Sequence, residues 1–283
     1  MTTAAAKLAG LLLRELEIDG KPDLNVVCER LGLRVREVAS NGFDGTLIRS
    51  RSTQKGIIAV RKSIREHGRK RFTVAHEIGH FVLPHHRLLG NVCHEKVVES
   101  YKTSMKQVEF EANEFAGAFL LPARAVAKRF RLSEPSLENI SSVANQFETS
   151  LSATARRFVD LTDAALVLLW QVAGKVEWFH KSDAFTYYLP LAELPAASSM
   201  AGRLFARKTA TDDFEPVDPN IWLDRRDAEK VETLLEHSVK LGNYDAVLTL
   251  LWVESGSPVG EADDLVEELD PDAFTLRRKR WPR

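Results

Sequence analysis

Cysteine is nearly absent: two residues in a chain of 283 are too few for a disulfide framework, which removes the class of small stapled secreted domains. Long apolar runs are missing as well, since no stretch approaches the roughly 18 residues that span a bilayer. The short apolar run from Leu8 to Leu13 is broken by Arg14 and Glu15, so a cytoplasmic chain without a signal segment or membrane anchor is expected. An excess of one charge is lacking too. A net charge of −1 excludes a global attraction to nucleic acid or anionic lipid. Of the two thiols, Cys28 lies in the apolar run LNVVCERLGL and reads as a buried free cysteine. Cys93 precedes His94 in a loop and lacks metal-ligand spacing.

What is present is an ordinary globular composition, 44% hydrophobic and 28% charged, long enough for two domains. Within it stands RFTVAHEIGHFVLP. On a helix, residues four apart lie about 40° apart around the axis, so His76 and His80 share a face and can grip one Zn²⁺. Glu77 then sits beside the metal as a general base for water. The flanks agree with this reading. Thr73, His76, Glu77 and His80 form one polar stripe, while Phe72, Ala75, Ile78, Val82 and Leu83 cover much of the remaining surface, the pattern of a buried helix. Ionisable groups in such a helix are costly unless something satisfies them, and a metal does so directly. Pro84 ends the helix.

A catalytic zinc takes three protein ligands plus water. The segment QVEFEANEFAGAFLLP offers the third, with Val108, Ala112, Phe115 and Phe119 as an apolar stripe at helical spacing. Glu109 borders that stripe with Asn113 one turn on, whereas Glu111 lies about 200° away from Glu109 and, with Glu114, is expected to face water. Glu109 is therefore the expected ligand and Glu111 the alternative. Asn113 would accept the outer N–H of a ligating histidine. For an oxyanion donor the nearby residues are His85, His86, His94 and Tyr101, all expected in loops.

RFTVAHEIGH followed by EFEANEFAGAFLLP resembles the ImmA/IrrE family of zinc metallopeptidases, a gluzincin-like pairing of HExxH with ExxxN. The resemblance runs over roughly residues 20 to 160 and includes the lead-in Phe43-Asp44-Gly45 and Gly56-Ile57-Ile58-Ala59-Val60. Arg61 departs from it, standing where an Asn would close the second strand. The resemblance implies zinc held by His76, His80 and Glu109, with Glu77 as base. It also implies a narrow endopeptidase acting on a helix-turn-helix transcriptional repressor in a bacterial stress or mobile-element response. The alternative function is a metal-binding anti-repressor that acts by protein binding without hydrolysis.

The periodicity switches near Asp163. Before it, helices are expected over Ala4 to Glu17, Leu24 to Leu31, Arg65 to Leu83, Val108 to Phe119 and a pair around 137 to 160, with a small sheet from Arg34 to Val38, Thr46 to Ser50 and Gly56 to Val60. After it, AALVLLWQV, KVEWFH, AFTYYLP and AVLTLLWVE are β-branched and aromatic, and Arg225 to Lys240 reads as a helix. The fold class is α+β: a zincin-like, mostly helical peptidase core over 1–135, a helix-turn-helix-like pair over 136–162, and a C-terminal α+β domain over 163–283. Long members of the resembled family carry a GAF-like sensor domain at that place. Arg156 and Arg157 are a thin footprint for DNA, so direct nucleic-acid binding by the pair is not expected. The basic run Arg61 to Arg71 can line a substrate groove. The basic tail Arg277 to Arg283 follows the acidic stretch Glu261 to Asp272, which can neutralise it.

Overall fold

The computed structural model describes residues 3–50, 53, 55–87, 99–130, 132, 134–190, 197–241 and 245–254, with the backbone alone for 87 and 99–105. Cys93, His94, the side chain of Tyr101 and the charged segments beyond residue 254 therefore lie outside the described residues. The chain is α+β, as expected. Helix α1 (Ala4–Glu15) starts where the Thr3 hydroxyl accepts from the Ala6 amide, and α2 (Leu24–Arg30) where Asp23 accepts from the amides of Asn25 and Val26. Such caps satisfy donors that the first helical turn leaves orphaned. Strands β1 (Leu33–Val38), β2 (Gly45–Arg49) and β3 (Gly56–Arg61) make a sheet in the order β1-β3-β2, with β1 parallel and β2 antiparallel to β3.

Helix α3 (His67–Val82) crosses this sheet, turns through a 3₁₀ segment Pro84–Arg87, and meets α4 (Glu99–Leu120). Ile58 and Val60 from the sheet, Ala75 and Ile78 from α3, and Phe115 and Phe119 from α4 share one buried core with α1 and α2. Ion pairs fasten the start of α3. Asp44 pairs with both Arg61 and Arg69, Lys70 reaches Glu37 at 2.7 Å, and Arg71 donates to the Pro22 carbonyl at 3.1 Å. The basic run Arg61 to Arg71 thus spends these charges on holding α3 to the sheet and its loops. Arg61 forms a 2.6 Å pair with the Asp44 that precedes β2.

Beyond the short α5 (Ala123–Ala127), α6 (Leu137–Phe147) and α7 (Leu151–Leu161) form a packed helical pair capped by Ser136 and Ser150. Then come β4 (Ala165–Val172), β5 (Lys175–Lys181), α8 (Met200–Phe205), β6 (Glu215–Val217), α9 (Arg225–Ala228), β7 (Thr233–Lys240) and β8 (Ala246–Glu254). The strands form one antiparallel sheet in the order β5-β4-β8-β7-β6. Its two faces bury different partners. Leu166, Leu168, Leu248 and Leu250 pack with Phe147 and Phe158 of the helical pair, while Val167, Leu169, Val247 and Leu251 pack with Ala201, Trp222 and Ala228. Burial on both faces explains why β4 and β8 read as nearly continuous apolar runs, broken only by Gln171 and Thr249, which hydrogen-bond each other at 2.8 Å.

The helix expected over Arg225 to Lys240 is not formed. One turn of helix ends at Ala228, and Thr233–Lys240 is strand β7. Leu234, Glu236 and Ser238 alternate toward α8: the Glu236 carboxylate accepts from the Ala201 amide at 2.7 Å, Trp222 Nε1 at 3.1 Å and Ser238 Oγ at 2.9 Å. Three donors satisfy a carboxylate that is 1% exposed. The run AFTYYLP forms no regular element, and Phe185 and Leu189 anchor it in the core while Tyr188 stays exposed. Helix α8 and strand β6 lie in a stretch with no clear periodicity.

Candidate metal centre

The last two turns of α3 carry His76, Glu77 and His80, and α4 packs close against them. Gly79 allows the approach, because a Cβ there would lie 3.0 Å from Phe115 Cδ1. Phe115 stacks on Phe119 at 5.4 Å between ring centres, which fixes the face of α4 that meets α3. Arg49 from β2 donates to the carbonyls of His80 and Phe81, two of the acceptors left open at the end of the helix.

His76 Nε2 and His80 Nε2 stand 3.0 Å apart, and the Glu109 carboxylate oxygens lie 3.1 Å from the first and 3.5 Å from the second. All three donors fall within 4.8 Å of one another. Donors held at about 2.0–2.1 Å by a tetrahedral divalent ion stand about 3.3 Å from each other. The observed spacings bracket that value, and a set of two imidazoles and one carboxylate suits such an ion. Glu109 is held well below the usual carboxylate range by its hydrogen bonds from His76 and His80. The outward nitrogen of His76, Nδ1, is 2.9 Å from Asn113 Oδ1. An amide oxygen only accepts, so His76 carries a proton on Nδ1, and its Nε2, facing Glu109, is the ring atom left for a metal.

Glu77 projects between α3 and β2. It is 6% exposed, and burial raises its pKa above the ordinary glutamate value. Room for it depends on Gly45: a Cβ there would come within 2.9 Å of Glu77 Oε1 and 2.3 Å of Thr73 Cγ2. Thr73 turns its hydroxyl back onto the Arg69 carbonyl at 3.0 Å and its methyl toward Gly45.

Glu111 and Glu114 do not simply face water. Glu111 receives His85 and His86 of the 3₁₀ turn, the latter at 3.1 Å, and Gln107 Nε2 at 2.8 Å. Glu114 pairs with Arg156 of α7 at 2.9 Å. Helical phase alone pointed Glu111 outward because it takes no account of the turn after Pro84, which folds back over α4. His86 is buried rather than looped into solvent, and burial lowers its pKa below the ordinary imidazole value. Of the two arginines weighed for DNA, Arg156 is held by Glu114, and Arg157 donates from Nε to the Leu121 carbonyl at 3.1 Å. Cys28 is buried, and its thiol is pushed up to about 12.

A family model described as "Peptidase_M78: IrrE N-terminal-like domain" matches residues 28–159. Among solved structures, a Mycobacterium tuberculosis transcriptional regulator superposes with a TM-score of 0.58 at 12% identity, covering 88% of this chain and 75% of its own. That likeness concerns the fold alone. No curated protein matches the sequence.

Proposed function

Because residues 28–159 belong to the ImmA/IrrE peptidase family, we propose that the protein is a zinc-dependent endopeptidase in which His76, His80 and Glu109 hold the ion and Glu77 is the general base. The observation that carries this reading is the convergence of the three donors within 4.8 Å beside a buried glutamate. When bound, zinc polarises the scissile carbonyl and acidifies water. Glu77 takes the proton of the attacking water at its carboxylate and later delivers it to the leaving nitrogen. Its burial supports that role, since a desolvated carboxylate is a stronger base than an exposed one. Asn113 orients His76 from behind, and the tight packing of Gly79 on Phe115 sets the separation of the two helices that supply ligands.

The substrate in this reading is a helix-turn-helix transcriptional repressor cut in a bacterial stress or mobile-element response. The family supports a protein substrate, and the structural neighbour's description as a transcriptional regulator fits a role in gene control. In this reading residues 1–135 are the catalytic domain, 136–162 the helical pair and 163–283 a regulatory or docking domain, in the cytoplasm. Among the described residues no helix is long and apolar enough to cross a membrane. The test is Glu77→Gln with a repressor encoded beside this gene. Cleavage should disappear while zinc content and repressor binding stay near wild type. A variant that still cuts at the wild-type rate sinks the mechanism. Repressor released from DNA intact by the wild type selects the binding-only alternative.

A further inference from the structure

His80 has an outer-shell partner that the HExxH pattern does not announce. Its Nδ1 lies 3.0 Å from Nδ1 of His86, and His86 Nε2 lies 3.1 Å from Glu111 Oε2. The His86 side chain is 1% exposed, so its ring is confined between the two. We propose that His86 and Glu111 form a positioning relay behind His80, fixing the tautomer that presents His80 Nε2 to the metal. The inference rests on the metal-site reading above and deepens it.

The proton count decides the direction of the relay. An ionised carboxylate only accepts, so the proton between His86 and Glu111 belongs to His86 Nε2. A neutral His86 then has a bare Nδ1, which faces His80 Nδ1. Two bare nitrogens at 3.0 Å repel, so His80 carries its proton there and donates it. That leaves the lone pair of His80 on Nε2, 3.0 Å from His76 Nε2 and 3.5 Å from Glu109, where a cation bound between the two Nε2 atoms would offset their repulsion, as nothing does between the two Nδ1 atoms. Both metal-facing rings thus end in the same tautomer by different means, His76 through the amide oxygen of Asn113 and His80 through a second imidazole. Gln107 and His85 hold Glu111 in turn.

A rival use of the same side chains is a second metal centre, because His85, His86 and Glu111 also bring their donor atoms within 4.8 Å of one another. The contact between the two Nδ1 atoms argues against it. An ion on His86 Nε2 would place the His86 proton on Nδ1, against the proton that His80 must carry there. Neutral rings cannot satisfy both centres together.

The experiment is a zinc affinity measurement on the full chain by competition with a chromophoric chelator at fixed pH. It compares wild type with Glu111→Ala, His86→Leu and His86→Asn, each with an apo-protein melting curve. Loss of an outer-shell partner lowers metal affinity about 10–100-fold. That loss is expected for Glu111→Ala and His86→Leu. His86→Asn should recover most of it, since its Oδ1 takes the place of Nδ1 as acceptor, whatever its effect on melting. Affinities within about threefold of wild type in Glu111→Ala and His86→Leu, a range below that expected loss, overturn the relay while leaving the metal site standing. So does His86→Asn binding no better than His86→Leu. A wild type that binds two ions with similar affinity overturns it in favour of the second centre. A wild type that binds no zinc removes the metal-site reading and the relay with it.

Discussion

Gly45→Ala should damage the protein in two separable ways. The added methyl would stand 2.3 Å from Thr73 Cγ2 and 2.9 Å from Glu77 Oε1. Carbon atoms in good contact are about 3.5–4.0 Å apart, so the overlap with Thr73 exceeds an ångström. Thr73 cannot swing away freely, because its hydroxyl is tied to the Arg69 carbonyl and α3 is buried on the sheet. Strand β2 must shift instead. Overpacking of this kind costs about 1–3 kcal/mol. At about 2–4 °C per kcal/mol for a chain of comparable size, the melting temperature should fall by roughly 2–12 °C in a calorimetric scan. Glu77 is displaced by the same methyl, and a misplacement near 1 Å at a reacting group costs about 100-fold in rate. Single-turnover cleavage should therefore drop by about that factor while bound metal, whose ligands Gly45 does not touch, stays close to wild type. Gly10→Ala is the control. Its Cβ meets nothing within 4 Å in the interior of α1. It should be neutral or stabilising by up to about 1 kcal/mol. A Gly45→Ala protein that melts and cuts like wild type would refute the close approach of β2 to Glu77.

Glu236→Leu leaves the Ala201 amide and Trp222 Nε1 without their buried acceptor and the Ser238 hydroxyl with Thr249 Oγ1 alone, and should cost about 2–5 kcal/mol in chemical denaturation, with the loss centred on α8 and β7. In a Cys93→Ser protein, which retains only Cys28, a thiol reagent at pH 8 should label nothing until the chain is unfolded, because a pKa of about 12 leaves roughly one thiol in ten thousand ionised. Glu148, at the left-handed end of α6, takes Lys21 at 2.8 Å and His67 at 3.0 Å, and these hold its carboxyl at about 2, below the ordinary 4.5. A depressed acid stabilises the fold above its ordinary pKa. The melting difference between wild type and Glu148→Gln should thus be present at pH 6 and vanish as the pH falls from 4.5 toward 2, and it should stay below about 1 kcal/mol for such exposed pairs. Ser150→Ala, which removes the acceptor for the Ala153 amide at 3.2 Å, should lower stability by about 1 kcal/mol.

The parts of this protein that were legible in its residues are those where one element carries its own instruction. The two histidines that share a face of α3 follow from helical spacing alone, and Asn113 follows from sharing a face with Glu109. What escaped depends on contacts between segments distant in sequence. Glu111 is placed on the outer face of α4 by its helical phase, yet it ends between two histidines because the turn after Pro84 folds back over that face. The segment from Arg225 to Lys240 shows the same limit more sharply. Its charged residues and paired leucines suit a surface helix, and Glu236 reads as a solvated position. In the folded chain that carboxylate is enclosed by donors from α8, Trp222 and its own strand. A buried, fully satisfied carboxylate inverts the polarity that amphipathic reasoning assigns to it. Once Glu236 counts as an inward residue, Leu234, Glu236 and Ser238 recur every second position, and the helical period gives way to the period of a strand.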